Sequence, residues 1–282
     1  MFRKLNITTQ DRWPHHRFGW PNVLQAMHRD LHDPLGVTFI DAVEEEGWGA
    51  SSPDRPWVGF LHQPHSLARA AGDLGKCVGL WVMTEDMKRR LGPKPFPVSV
   101  IKYAINPAPA KRFHRGYTAT LAMVGHCNRM PSDFIALKAK SLRKIYVVTP
   151  DVTGRGQVIA NMCQKAKIDI VPSLSAAGYD DLLAFTYIFL PLSDMGGCTA
   201  LNECIAAGTP VLVPRLPAAI EYLGASYPLF YDSLDHAAQL IEDINLGLGV
   251  RAHEHLMSMD KADLDIATFT QRFEETEVYR AL

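Results

Sequence analysis

Short apolar runs alternate with amphipathic stretches from one end of the chain to the other. The runs at 57–62, 120–125 and 187–191 are almost wholly apolar and lie next to polar residues, which is typical of buried parallel strands. Elsewhere apolar residues recur at i, i+3 and i+4, as in 157–167 and 237–244, and this spacing predicts helices. The alternation predicts an α/β protein whose parallel sheets are covered by helices.

The predicted strands form two groups. They lie at 5–8, 37–43, 57–62, 78–83 and 98–103, and then at 120–125, 144–149, 168–172, 187–191 and 209–214. Segment 104–115 separates the groups, and its prolines and basic residues are typical of a connector, because proline disfavours regular structure around it. We therefore predict two Rossmann-like domains facing a cleft, formed by residues 1–106 and 107–282.

Composition narrows the class of partner. A formal net charge of −1 gives no overall attraction for nucleic acid or an anionic membrane, so neither is expected as a partner. No apolar run approaches the roughly 20 residues that cross a bilayer, so no transmembrane segment is predicted. The five cysteines are scattered without CxxC spacing, which favours reduced thiols and a cytoplasmic location. The histidine pairs lack a third ligand nearby, so no bound metal is predicted.

The segment 187–213 carries the most specific chemistry. A buried strand leads into a loop with Gly196 and Gly197, and a helix is predicted to begin at Cys198 or Thr199. Glycine allows close approach of a ligand to the backbone, and the free amides of a first helical turn favour phosphate. Glu203 lies one turn further along the same face, where a carboxylate accepts hydrogen bonds from a ribose diol. The alternative is an ordinary strand–helix–strand crossover with a flexible turn.

This segment resembles the donor-binding segment of GT-B glycosyltransferases, in the retaining group that includes glycogen synthases and bacterial mannosyltransferases. The residues at matching spacing are Pro191, Gly196, Glu203, Ala206, Gly208, Pro210 and Val211. The resemblance implies transfer of a hexose from a nucleotide-diphosphate sugar to a glycan or other hydroxyl acceptor, as in polysaccharide biosynthesis. It also implies a metal-independent reaction with no cofactor besides the donor, and a C-terminal helix near 262–282 that packs back on the first domain.

Two positions depart from the family pattern. The family's first Glu falls on Met195, and Asp194 takes its place only if the loop shifts by one residue. The family's phosphate-binding Arg falls on His126, and Arg129 is the nearest permanent cation. Arginine offers a fixed fork of donors, so Arg129 is the better diphosphate partner. Its alternative role is that of a solvated loop arginine.

In the first domain the resemblance implies that His62, at the end of a strand, meets the donor sugar. It also implies that Gly19, before the first helix, allows a phosphate to approach. His62 and Asp194 are thus the predicted catalytic residues. The predicted donor-binding residues are Gly19, His126, Arg129, Gly196, Gly197, Cys198, Thr199 and Glu203.

Other functions stay open at this stage. A nucleotide-sugar epimerase or hydrolase would use the same fold, and a non-catalytic subunit that supports a partner enzyme would explain Met195 and His126. The short first domain predicts an acceptor site that is either shallow or completed by a partner subunit or a second copy of the chain. A redox Rossmann enzyme is disfavoured, because no strand is followed by GxGxxG with an acid about 20 residues later.

Overall fold

The structure of the protein is a computed structural model that describes residues 4–7, 20–43, 54–64, 74–106, 108–114, 118–148 and 154–282. The chain divides into two compact units. The first comprises Met1–Asn106, Asp194–Thr199 and Ala262–Leu282, and the second comprises Pro107–Ser193 and Ala200–Lys261. No helix in the described part of the chain is long and apolar enough to cross a membrane.

The first unit contains a parallel sheet of five strands in the order β1-β2-β3-β4-β5. The strands are β1 (Leu5–Ile7), β2 (Val37–Ile40), β3 (Trp57–Leu61), β4 (Cys77–Val82) and β5 (Val98–Val100). Helices α1 (Trp20–Leu31) and α2 (Glu85–Leu91) belong to the same unit. α2 begins where the Thr84 side chain accepts a hydrogen bond from the Met87 amide at 3.1 Å, which satisfies a backbone donor of the first turn.

The C-terminal segment completes the core of this first unit. Its helices α10 (Ile266–Glu274) and α11 (Glu277–Ala281) contribute the buried Phe269, Phe273 and Val278. The Trp81 indole Nε1 donates a hydrogen bond of 3.0 Å to the Thr276 hydroxyl. Apolar packing and this polar bond therefore both tie the end of the chain to β4.

The second unit contains a parallel sheet of six strands in the order β11-β10-β9-β6-β7-β8. The strands are β6 (Thr120–Val124), β7 (Arg143–Val147), β8 (Asp169–Val171), β9 (Tyr187–Phe189), β10 (Val211–Pro214) and β11 (Phe230–Tyr231). The helices are α3 (Pro131–Ala136), α4 (Arg155–Lys165), α5 (Ala176–Phe185), α6 (Thr199–Ala207), α7 (Pro217–Leu223), α8 (Leu234–Asp243) and α9 (Gly249–Ser258). The first residue of α6 is grouped with the first unit.

The order of these six strands reverses between β6 and β9. The chain builds β6, β7 and β8 outward on one side, and then returns to add β9, β10 and β11 on the other. In open α/β sheets ligands bind beyond the carboxyl ends of the strands at such a reversal point. The described strands of the first unit follow one another in sequence and contain no such reversal.

The predicted α/β class with parallel, helix-covered sheets is confirmed. Each predicted strand overlaps an observed one. The strands observed within 37–43 and 98–103, which are β2 and β5, are shorter than predicted. Helix α6 ends at Ala207, and the next residue, Gly208, has a φ of 71°, which is typical of a glycine that stops a helix. The division into folding domains 1–106 and 107–282 stays a prediction.

Candidate functional site

The loops that follow β6 and β9 are joined at the reversal point of the second sheet. After β6 the chain turns through Gly125 and Asn128, which have φ values of 75° and 53°. The Met130 amide donates to the Pro191 carbonyl at 2.7 Å, and the Ser193 amide donates to the Asn128 carbonyl at 3.0 Å. These bonds fix the two loops against each other, so their side chains share one edge of the sheet.

Arg129 is held at this edge by backbone carbonyls. Its Nε donates to the Val124 carbonyl at 3.1 Å, and its Nη1 donates to the Cys127 carbonyl at 3.0 Å. The guanidinium also lies over Gly125, since Nη2 is 3.3 Å from the place where a Cβ atom would stand. A side chain at position 125 would press on the guanidinium. Arg129 is therefore a permanent cation in a fixed place at the carboxyl end of β6.

Glu203 lies on α6 and accepts a hydrogen bond from the Tyr179 hydroxyl on α5. Burial and then the negative charge of Glu203 raise the pKa of Tyr179 well above its ordinary value, whereas the charge of Arg129 opposes the rise. The same cation opposes the rise in the pKa of Tyr231 that burial causes. Arg129, Tyr179 and Glu203 thus form one electrostatically linked group at the reversal point.

The beginning of α6 is suited to an anion. The helix has no acidic residue in its first turn, and its first amides have no partner within the helix by geometry. The helix dipole adds a partial positive charge at this end. Cys198 before the helix is buried, and Thr199 in its first turn is half-buried.

The loop 194–199 is anchored inside the first unit. Asp194 accepts two hydrogen bonds from Arg90, at 2.9 and 2.7 Å, and one from the Met195 amide at 2.8 Å. A Cβ on Gly196 would stand 2.2 Å from the His62 carbonyl oxygen, and one on Gly197 would stand 2.1 Å from the Tyr103 ring. Both glycines are therefore required by packing against the protein itself. Their predicted contact with a diphosphate through the backbone stays a prediction.

His62 is built into the core of the first unit, with 5% of its surface exposed. Its Nε2 lies 2.5 Å from the Asp41 carbonyl oxygen, and its Nδ1 accepts a hydrogen bond from the Tyr103 hydroxyl. Burial lowers the pKa of the imidazole to about 4, against the opposing effect of the Asp41 carbonyl. The ring is thus neutral at pH 7, with the proton on Nε2. Its catalytic role stays a prediction, since protein groups engage both ring nitrogens.

The buried neutral His62 predicts a specific loss of stability in mild acid. The unfolded chain binds a proton near pH 6.5 and the folded chain only near pH 4, so stability falls as the pH drops through this window. Between pH 7 and 5 the free energy of unfolding of the wild-type protein should fall by about 2 kcal/mol more than that of His62→Gln. Urea unfolding at both pH values, followed by tryptophan fluorescence, measures the difference. Equal losses in the two proteins would contradict the neutral, buried assignment.

The structure brings the predicted residues together in two sets. His126, Arg129 and Glu203 lie at the reversal point of the second sheet, whereas His62, Asp194, Gly196 and Gly197 belong to the first unit. Gly19 lies outside the described residues. Among the residues that the structure describes, no three His, Cys, Asp or Glu side chains form a group that could hold a metal.

Sequence reasoning missed three residues of these sets, namely Tyr179, Arg90 and Tyr103. Tyr179 holds Glu203, Arg90 holds Asp194, and Tyr103 contacts both His62 and Gly197. Each comes from an element distant in sequence from its partner, and none stands in a motif. The chain alone carries no signal for them.

The fold is that of GT-B glycosyltransferases. Sucrose-phosphate synthase from Thermosynechococcus elongatus matches with a TM-score of 0.63 and 13% identity, over 93% of this chain and 77% of that chain. HepE from Anabaena, solved with UDP and glucose, matches with a TM-score of 0.62 and 11% identity, over 80% of this chain and 72% of that chain. TarM matches with a TM-score of 0.59 and 10% identity, over 84% of this chain and 54% of that chain.

This chain therefore spans about half the length of TarM. At such low identities the similarity establishes the fold, and it confirms the resemblance to GT-B proteins that segment 187–213 predicted. No protein-family model matches the sequence, and no curated protein sequence matches it.

Proposed function

We propose that the protein is a glycosyltransferase that moves a sugar from a nucleotide-diphosphate sugar to a hydroxyl acceptor. One observation carries the proposal: a fixed cation, Arg129, and a positioned carboxylate, Glu203, are both electrostatically coupled to Tyr179 at the place where the strand order of the second sheet reverses. Ligands of open α/β sheets bind at this place. A nucleoside diphosphate presents both complementary groups, an anionic diphosphate and a neutral ribose diol.

The proposed roles follow from this charge pattern. Breaking the bond between the sugar and the diphosphate leaves extra negative charge on the departing phosphate oxygens. The first amides of α6, with Arg129, would stabilise that charge, and groups already in place do this without reorganisation. Glu203, held by the Tyr179 hydroxyl, would accept hydrogen bonds from the ribose. The acceptor hydroxyl would then attack the sugar carbon that the diphosphate leaves.

The proteins with the same fold suggest which nucleotide to test first. HepE is solved with UDP-glucose, and the pneumococcal O-GlcNAc transferase GtfA is solved with UDP and GlcNAc. UDP is therefore the first ligand to test, and UDP-glucose and UDP-GlcNAc are the first donors. We further propose a glycan or related hydroxyl compound as acceptor and a cytoplasmic site of action.

A second candidate function is a nucleotide-sugar-binding subunit without transfer activity. Three observations favour it. Met195, at the position of the family's first Glu, is 1% exposed, Asp194 is tied to Arg90, and both nitrogens of His62 are engaged. Such a subunit would bind the nucleotide through the second unit and support a partner enzyme or another copy of the chain.

A thermal-shift screen tests the proposed function. UDP, GDP and ADP are added in turn, and the nucleoside diphosphate that fits should stabilise the protein by about 2.7 kcal/mol at 100 times its dissociation constant. UDP-glucose and UDP-GlcNAc are then offered with hydroxyl acceptors, with and without EDTA, because the reaction is proposed to need no metal. Binding without consumption of either sugar donor would favour the second candidate. Stabilisation by none of the nucleotides at millimolar concentration would contradict both.

A further inference from the structure

We propose that Arg90 is a positioning residue of the donor site, which anchors loop 194–199 and thereby fixes the first amides of α6. The inference rests on the proposed function, and it extends that function to a residue of the first unit that lies outside the donor-binding segment. In this assignment Asp194 is the attachment point of the anchor rather than a catalytic acid.

The contact between Arg90 and Asp194 has the geometry of a strong ion pair. Arg90 Nη1 is 2.9 Å from Asp194 Oδ1, and Nη2 is 2.7 Å from Oδ2. Two parallel bonds from one guanidinium fix the direction of the carboxylate as well as its distance. The side chains are 37% and 33% exposed, so water screens the pair only in part.

Arg90 is itself held in place on α2. Its Nη1 lies 3.3 Å from Oδ2 of Asp86, one helical turn earlier, and Asp86 is buried. Arg89 also binds Asp86 but makes no ion pair with Asp194. The two neighbouring arginines therefore share one acidic partner and differ in the contact with the loop.

The rest of the loop is fixed by packing. Met195 is buried, and its amide donates to the Asp194 carboxylate that Arg90 binds. Gly196 packs so closely against the His62 carbonyl, and Gly197 against the Tyr103 ring, that neither position has room for a Cβ. The loop is thus held along its whole length, from the ion pair at Asp194 to the beginning of α6.

The attachment matters for binding because a preordered loop loses less conformational entropy when a ligand arrives. The amides at Cys198 and Thr199 can stabilise a diphosphate only if they already point to one place. When Arg90 is lost, Asp194 loses its partner and the loop is held by packing alone. The amides then sample more orientations, and the affinity for a diphosphate falls.

Amide hydrogen exchange and UDP titration of three variants test the proposal. In Arg90→Gln, amides 195–199 of the free protein should exchange about fivefold faster, and UDP should bind about fivefold more weakly, the factor expected for a well-formed, partly exposed ion pair. Arg90→Lys should lie between wild type and Arg90→Gln, because lysine cannot bind both oxygens in parallel. Arg89→Gln is the matched control and should leave both measurements at wild-type values.

Asp194→Asn should give the same changes as Arg90→Gln, and the double variant should add little to either single variant, a coupling that a general loss of stability would not give. Unchanged exchange in Arg90→Gln, or faster exchange with unchanged UDP affinity, would overturn the proposal. Wild-type protein that binds no nucleoside diphosphate would overturn the proposed function instead. Exchange of the free protein is measured without nucleotide, so the two failures are distinguishable.

Discussion

Glu203→Gln is expected to weaken UDP binding about tenfold to 100-fold, because hydrogen bonds to a charged group contribute about 1.5–3 kcal/mol. The substitution keeps the size of the side chain and removes its charge. The Tyr179 hydroxyl, which now donates to the carboxylate, still finds an amide oxygen to accept its hydrogen bond. The loss should therefore appear in UDP affinity, measured by titration calorimetry, and hardly in the melting temperature of the free protein.

A comparison of UDP with 2′-deoxy-UDP isolates the proposed contact with ribose. Wild-type protein should prefer UDP, and Glu203→Gln should bind the two nucleotides almost equally. Glu242→Gln, the same substitution at an exposed position of α8, is the control and should keep the preference. An equal loss for both nucleotides would show that Glu203 does not read the ribose. A large drop in the melting temperature of the free protein would assign it a structural role beside Tyr179.

The strand pattern was predictable because each strand is defined by its own residues. A run such as 187–191 is apolar throughout, and in the structure β9 is buried between its two neighbours. Gly208 likewise marks the end of α6 through its own backbone conformation. The order of strands, and with it the reversal between β6 and β9, follows from the pairing of distant segments. The resemblance to GT-B proteins supplied what the hydrophobic pattern alone could not.

Segment 187–213 shows where local reasoning reaches its limit. Its glycines predicted an approach of ligand to the backbone, yet Gly196 and Gly197 are also required by the His62 carbonyl and the Tyr103 ring. By sequence Asp194 is the candidate replacement for the missing Glu, whereas in the structure its carboxylate binds Arg90. The type and spacing of residues in a segment do not show which distant side chains will contact them in the folded protein. Such contacts are decided by tertiary packing.

His62 illustrates the same limit for titratable groups. A histidine at the end of a strand has the chemistry of a catalyst, and its position matches the family pattern. Whether it titrates near neutral pH depends on burial and on partners that come from Asp41 and Tyr103. Burial disfavours the charged form of the ring, and this effect outweighs the Asp41 carbonyl, which favours it. The neighbouring sequence, residues 61–66, indicates neither the burial of His62 nor its partners.

Phe273→Ala is expected to destabilise the first unit by about 3–5 kcal/mol, the usual cost of removing a fully buried phenylalanine side chain. Phe273 is 0% exposed and stacks on Trp81 with ring centroids 4.4 Å apart, and the Phe60 ring lies 6.0 Å away. The cavity would open beside β3 and β4, at the centre of the five-stranded sheet. The free energy of unfolding of a domain is usually only about 5–15 kcal/mol, so this single change removes a large share of it.

All five tryptophans lie within residues 1–106, so urea unfolding followed by tryptophan fluorescence reports on the first unit. The matched control is Phe185→Ala on α5 of the second unit, where the side chain is 55% exposed and the expected change is within about 0.5 kcal/mol. A loss below about 1 kcal/mol for Phe273→Ala would mean that the C-terminal helices are not part of this core. The expected loss would show instead that residues some 200 positions from β3 are needed to fold the unit in which loop 194–199 is anchored, because Phe273 packs directly on Trp81 and close-packed neighbours refill such a space only in part.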